Sequence, residues 1–546
     1  MFPQRCRNVV LAAAALLCAA TAWAEAVNDP AAAGKALYRE GVGSDGSPVT
    51  AVVQGDVEAS GTNLACVNCH KHSGLGASEG GLRAVPVTGP ALFEPELPNQ
   101  VNLTRPRTVY SDETATRAIV DGIGADGRVL DPLMPRYRLS GEDAAALVAY
   151  LRGLGAGPSP GVGETEVELA TIVSADAPPA EREAVIAVLQ RFAAIKNSGT
   201  RQEQRRAAAS RRHPFGEKHV RAFRSWNLSV WTLEGPASTW AAQLDALYAA
   251  RPPFAVISGT AGADWAVVHG FCERRELPCI LPVTDLPSDT QPGHFTIYYS
   301  AGVRLDASVT ARSIAQGHEP GTRTLVAYTD DARGRAAFEA FREAATDDVR
   351  AGLVAHPVAA AIQPTPGDWR KLLASERPGI LVAWLPPPQL AVLAAAASAA
   401  DALPRRVYTA ASFTDWKELH APETFEQRVL HVYPYSLPAE PGLSGAPREE
   451  AWLISQGLGS LARAPAAQAL FACHAVGEAM AGMADNYSRE YLIESLEHML
   501  DGTGMTTLYP VTTLGTSQRF LVRGAYVVRL AQDATARYVP AGWVRS

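Results

Sequence analysis

The sequence predicts a multidomain chain, an all-α domain followed by an α/β fold of two lobes. Three observations predict it. Residues 25–155 carry three helical patterns. GLGAGPSPGVGETE, at 153–166, is rich in Gly, Pro and Ser, and reads as an interdomain linker assigned to 156–165. From Glu166 onward, strand-like and helix-like patterns alternate, as they do in parallel sheets covered by helices. A length of 546 residues suits more than two folding units.

The N-terminus, MFPQRCRNVVLAAAALLCAATAWAEA, has the layout of a secretory signal. Arg5 and Arg7 form the positive region, Val9 to Ala20 the apolar one, and Ala22 and Ala24 supply the small residues at the cleavage site. Cleavage is expected after Ala24, so residues 1–24 leave and the mature chain is periplasmic. The apolar run is too short to span a bilayer comfortably. Cys18 follows the bulky Leu17, which argues against a lipoprotein signal. The formal charge is −7, and loss of Arg5 and Arg7 leaves 47 basic against 56 acidic residues. There is no long block of like charge, which argues against a nucleic-acid partner.

Seven cysteines are present, and Cys6 and Cys18 fall in the signal. Cys66 and Cys69 stand in ACVNCHKHSG, where His70 follows at once. Cys-x-x-Cys-His is the spacing for covalent c-type haem attachment. Two thiols add to the two vinyl groups, and the adjacent imidazole lies under the iron. A closed zinc site needs four ligands, and His72 is the one further Cys or His in this region. Met134, in RVLDPLMPRYRLSGEDAAALVAYLRGL, is the sole methionine between the cleavage site and Met480. A lone Met is usually core packing. Here it sits in a loop before Pro135 and an amphipathic helix, which suits a distal iron ligand.

The helices of this region have start signals. AAAGKALYREG ends at a glycine. SDETATRAIVDGI begins at Ser111 with Thr114 three residues on, and SGEDAAALVAYLRGL begins at Ser140 with Asp143 three residues on. With ALYREG, CVNCH, the Gly89-Pro90 and Met134-Pro135 pairs and LVAYLRGL in place, the region resembles a class I monohaem cytochrome c. The resemblance implies one covalent haem c, His70 as proximal and Met134 as distal ligand, and the Pro90 carbonyl orienting the second ring nitrogen of His70. One departure is the long stretch GVGSDGSPVTAVVQGDVEASGTN between the first helix and the haem motif, expected to form a hairpin-like insertion.

Beyond the linker, VELATIVSA, LSVWTLEG, PFAVISG, PCILPVT, GHFTIYYS, RTLVAYTD, GILVAWL, RVYTAAS and RVLHVYPY read as strands, with helical patterns between them. Residues 166–546 exceed one doubly wound domain, so two lobes are expected. The order of PFAVISGTAGADWAVVHGFCERRELPCILPVTD, HFTIYYSAGVRLDASVTARSI and TLVAYTDDARGRAAFEAFREA resembles the type I periplasmic solute-binding fold of branched-chain amino acid receptors. That resemblance implies two lobes closing on a small, amino-acid-like solute, as in the substrate-binding proteins of ABC transporters, with the chain crossing between them more than once.

Ligands of open parallel sheets bind beyond the carboxyl ends of strands. Candidate contacts there are Ser258, Thr260, Asp285, Tyr298, Tyr328 and Asp330. Ser258-Gly259-Thr260 offers hydroxyls and N–H groups to an anion, or else simply caps a helix. Tyr298 and Tyr299 alternate, so one of them can face a cleft, and Tyr433 and Tyr435 lie near a crossing. SGTRQEQRRAAASRRHPFGEKHVRAF is basic, either a solvated helix surface or a docking patch for an acidic redox partner. Cys272 and Cys279 are either bridged or two buried thiols, and Cys473 reads as a buried thiol.

His/Met ligation leaves no open position on iron, and the second region shows no nucleophile–base pair. The expectation is therefore a carrier that exchanges electrons with a periplasmic dehydrogenase or oxidase, and not an enzyme. The alternative is a solute receptor or sensor whose haem couples it to redox state.

Overall fold

A computed structural model describes residues 30–546 except 80–81, 96–107, 210–223, 263–264, 289–292, 318, 360–361, 400–402, 416–420, 438–447, 484–485, 502–507, 516–517 and 531–537. The signal segment and most of the basic stretch lie outside the described residues. Two compact units divide the chain, Met1–Pro158 and Ser159–Ser546.

In the first unit, α1 (Pro30–Glu40) packs against α5 (Gly141–Gly153), with α2 (Val67–His70), α3 (Gly89–Phe93) and α4 (Asp112–Val120) completing the helices. The α1–α5 crossing is close because Gly34 has no side chain. A Cβ there would lie 2.0 Å from the Ala146 carbonyl oxygen and 2.8 Å from the Tyr150 Cβ. Leu37, Tyr38, Leu147, Val148 and Leu151 form the core around it. Both expected caps are formed. The Ser111 and Thr114 side chains make a reciprocal capping box on α4, and the Ser140 hydroxyl accepts from the Asp143 N–H at the start of α5.

The insertion is a hairpin. β1 (Thr50–Val53) and β2 (Val57–Ser60) pair antiparallel, turning through Gln54 and Gly55 at positive φ, and β1 also pairs with β3 (Arg136–Arg138). Among the described residues the first unit is thus helical with a three-stranded sheet and a short antiparallel pair, Ser78–Glu79 with Leu82–Arg83; the hairpin was expected, its pairing with β3 was not.

The second unit holds two sheets. β4 (Glu166–Ser174), β5 (Ser225–Leu233), β6 (Ala255–Thr260), β7 (Cys279–Ile280) and β8 (Thr296–Ser300) alternate with α6 (Pro179–Ala209), α7 (Trp240–Ala250) and α8 (Ala266–Arg274). α9 (Val303–Ala315) then leads to β9 (Thr324–Thr329), α10 (Ala332–Ala344), β10 (Leu353–Val358), α11 (Pro366–Glu376), β11 (Ile380–Trp384), α12 (Pro387–Ser398), β12 (Arg406–Ala410) and β13 (Val429–Tyr433). The chain returns through α13 (Arg463–Gly482) and α14 (Arg489–Leu500) to β14 (Phe520–Val522), and ends in β15 (Gly524–Leu530) and β16 (Tyr538–Arg545).

The first sheet has the order β14-β8-β7-β6-β4-β5, all parallel. The second has the order β10-β9-β11-β12-β13-β15-β16, parallel until β15 and β16 join antiparallel. Every expected strand is present, and the chain passes between the sheets three times. β10 and the three C-terminal strands are additions. Residues 159–163 of the expected linker are tied to the second unit, with Glu168 N–H donating to Gly161 O at 2.7 Å and Gly163 N–H to Glu166 O at 2.9 Å.

Candidate functional site

The CVNCH segment is a single helical turn. His70 N–H donates to Cys66 O at 2.9 Å, which stacks the imidazole one turn beyond the first thiol. Cys66 and Cys69 are free thiols, and burial pushes the Cys66 thiol up to about 11. Its sulfur lies 3.9 Å from the Tyr137 hydroxyl, which donates to Leu64 O at 2.6 Å.

His70 Nδ1 lies 2.9 Å from the Val85 carbonyl oxygen. A carbonyl can only accept, so Nδ1 carries the proton and Nε2 is the ring nitrogen that bears the lone pair. This corrects the expectation for Pro90. That residue stands in the first turn of α3, and its carbonyl accepts the Glu94 N–H at 3.3 Å along the helix axis. The carbonyl that orients the imidazole belongs to Val85, five residues earlier. Two thiols, an imidazole primed at Nε2 and a thioether in the Met134 loop form a donor set that fits haem c.

Met134 closes a tight turn, its N–H donating to Asp131 O at 3.0 Å. Its side chain is half-buried. Arg136, two residues on, donates to the carbonyls of Met134 at 2.5 Å and Leu130 at 2.7 Å.

A second constellation lies at the carboxyl ends of strands from both sheets of the second unit. Asp285, just beyond β7, pairs with Arg333 in the first turn of α10 at 2.6 Å. Arg333 also donates to Ser412 O, beyond β12. Ser412 N–H donates to Asp306 Oδ2 at 3.3 Å, and Asp306 is 1% exposed in the first turn of α9. Asp306 Oδ1 and Arg333 Nε are buried with no hydrogen-bond partner among the described residues. Glu181, near the start of α6, accepts from the Thr260 hydroxyl at 3.2 Å.

Three carboxyls therefore surround one guanidinium. Burial raises Glu181, with the Asp285 charge adding to it; burial likewise raises Asp285, which Arg333 partly restrains. Burial pushes Asp306 up to about 7, against hydrogen bonds from Ser412. Tyr435 and Tyr509 border the cluster with ring centroids 5.3 Å apart, and the Tyr509 hydroxyl accepts from the Gln468 amide at 2.7 Å.

Of the six residues expected to face a solute, Thr260 and Asp285 belong to this cluster. Ser258-Gly259-Thr260 does not open a helix, since Ser258 and Thr260 stay in β6 and α8 begins at Ala266. Ser258 sits at φ 54° where β6 slips register against β4, and its hydroxyl is buried without a partner among the described residues. Tyr298 points to the helix side, its hydroxyl 3.1 Å from His269 Nδ1. Tyr299 takes the other face and stacks on Tyr509 at 5.6 Å. Tyr328 stacks on Phe338 at 4.9 Å, and Asp330 pairs with Arg335 at 2.8 Å, so both are engaged with α10. Glu181, Asp306, Arg333 and Ser412 went unnoticed in the sequence. The one available signal was position, each falling a few residues after a strand. Cys272, Cys279 and Cys473 are buried and free.

Residues 31–155 match the family model for cytochrome c. The N-terminal unit is a cytochrome c domain. No curated protein matches the chain. Beyond the cytochrome c domain, solved structures are similar at low identity. A fatty acid ABC transporter substrate-binding protein from Thermomonospora curvata has 14% identity and a TM-score of 0.48, covering 71% of this chain and 95% of its own. A leucine-binding protein from Thermotoga maritima has 12% identity and a TM-score of 0.47, covering 69% and 99%. A solute-binding protein from R. palustris in complex with benzoate has 12% identity and a TM-score of 0.47, covering 70% and 96%. Among the described residues, no helix is long and apolar enough to cross a membrane.

Proposed function

We propose that this chain is an exported one-electron carrier whose cytochrome c domain is joined to a solute-binding unit. Cys66 and Cys69 would hold one haem c covalently, with His70 and Met134 as axial ligands. When bound, that group supplies reversible one-electron oxidation and reduction of iron. The observation that carries the reading is the CVNCH turn with His70 Nδ1 tied to Val85 O at 2.9 Å. Such a bond fixes ring orientation and makes the ligating nitrogen more basic. Ligation by both His70 and Met134 would leave no position on iron for oxygen or peroxide, which favours a carrier over a catalyst. A periplasmic dehydrogenase or oxidase would exchange the electron.

The test is expression with c-type maturation machinery in a periplasm. The expected product is shorter by residues 1–24, heavier by one haem, and shows reversible absorption changes on reduction. A chain without covalent haem, or with no redox spectral change, removes the reading.

The cluster at the strand ends favours a second role alongside the first, recognition of a small solute with a charged, amino-acid-like group. Asp285 and Arg333 come from different sheets, so a solute that competes for either would change how the sheets are held together. Tryptophan fluorescence and calorimetry with a panel of amino acids and carboxylates test this. Saturable binding that Arg333→Ala abolishes supports it, and no response across the panel counts against it.

A further inference from the structure

The 41–63 insertion and Arg136 have no role in the reading so far, yet they converge on one loop. β3, which holds Arg136, is the outer partner of the hairpin, with Val52 opposite Arg136 and Thr50 opposite Arg138. From that strand the Arg136 guanidinium reaches back to three carbonyls of the Met134 loop. These are Met134 O at 2.5 Å, Leu130 O at 2.7 Å and Asp131 O at 3.4 Å. The hairpin tip adds a fourth tie, Gln54 N–H to Pro132 O at 3.0 Å. Leu130 N–H donates to Gly122 O at 2.8 Å. The room for Arg136 is built in, because a Cβ on Gly122 would lie 1.9 Å from Arg136 Nε, and Gly122 has φ 68°. At its far side β3 touches the other end of the haem motif, through the Tyr137 hydroxyl on Leu64 O at 2.6 Å and beside Cys66 Sγ at 3.9 Å.

A neutral thioether is a weak ligand, so its hold on iron depends on how firmly its loop is placed. Hydrogen bonds from a charged donor to carbonyls are about twice as strong as neutral ones. A rigid planar fork can hold several carbonyls in one geometry where an ammonium cannot. We propose that Arg136, braced by the hairpin, is the positioning residue that holds Met134 at the iron. The inference rests on Met134 as the distal ligand, and its test separates the two.

The readouts are the thioether-to-ferric-iron charge-transfer band and the midpoint potential, measured on the full chain with covalent haem checked by mass. Met134→Ala is expected to lose the band; a band that survives removes the ligand assignment and this inference with it. Where Met134→Ala loses the band, Arg136→Ala is expected to keep its haem, lose most of the band and titrate at a lower potential. An Arg136→Ala protein with wild-type band and potential overturns the inference while leaving the ligand assignment standing. Should Arg136→Ala fail to accumulate, Arg136→Lys decides. It keeps the charge without the fork, and the temperature at which its band disappears should fall further than the unfolding temperature of the cytochrome c domain itself, followed by circular dichroism in the haem absorption region. Equal falls, or none, overturn the inference.

Discussion

Asp306 shows what burial does to a single group. An aspartate in the unfolded chain titrates near 3.8, whereas this one is pushed up to about 7. Between those values the folded state holds a proton that the unfolded state has released. Stability therefore falls as pH rises through that window and is lowest above about 7. Glu181 and Asp285 move in the same direction, and Arg333 opposes them. Asp306→Asn should flatten the dependence, by at most roughly 4 kcal/mol between pH 4 and 8. Urea midpoints of the second unit at pH 5 and pH 8 measure it; an equal slope in variant and parent would count against Asp306. Tyr137 is the corresponding residue of the cytochrome c domain. Tyr137→Phe leaves the Leu64 carbonyl without its buried donor and should cost about 1–3 kcal/mol in domain stability, read from haem absorbance on heating. The attachment motif stands out in the sequence because its chemistry demands fixed spacing, five letters from Cys66 to His70. The orienting carbonyl was not legible, since any residue supplies one and only the loop path selects Val85 over Pro90.

Helices and strands were legible where one periodicity dominated. Ser111, Ser140 and the apolar runs of the parallel strands announced their elements locally. The hairpin of β1 and β2 was expected from its place in the insertion, whereas β3 is three residues, too short for a period to register, and β14 to β16 follow a long helical stretch from which no further βα unit was due. Close packing between elements gives sharper tests. Gly34→Leu would drive a branched side chain into the Ala146 backbone, and the α1–α5 crossing must open. Destabilisation of about 1–3 kcal/mol or more is expected for such overpacking, seen as a lower melting temperature of the haem signal. Arg489 binds elements of the second unit together from the start of α14. It is 5% exposed and donates to Phe254 O at 3.2 Å, Arg275 O at 3.1 Å and Glu276 O at 3.3 Å. Arg489→Ala strands those carbonyls, and a loss of about 3–5 kcal/mol in urea unfolding of the second unit is expected.

At the scale of the whole molecule, the chain divides into two compact units after Pro158, and each would carry its own optical reporter. The haem motif is in the first, and nine of the ten tryptophans lie beyond residue 166. Heating should give two transitions, one in haem absorbance and one in tryptophan fluorescence. Gly34→Leu should move the first alone and Arg489→Ala the second alone. A single coincident transition that both variants shift would show the units to be energetically one.

Sequence by itself determined the export layout as an expectation, the haem motif, the domain order and the alternation of strand and helix. Each of these is a local property, readable from neighbours along the chain. Tertiary structure alone decided which carbonyl faces His70, that the insertion pairs with the strand after Met134, and that Glu181, Asp285, Asp306 and Arg333 share one place. Those relations join residues from 15 to more than a hundred positions apart. They arise when sheet order and helix crossing bring strand ends together, and no local pattern encodes that meeting.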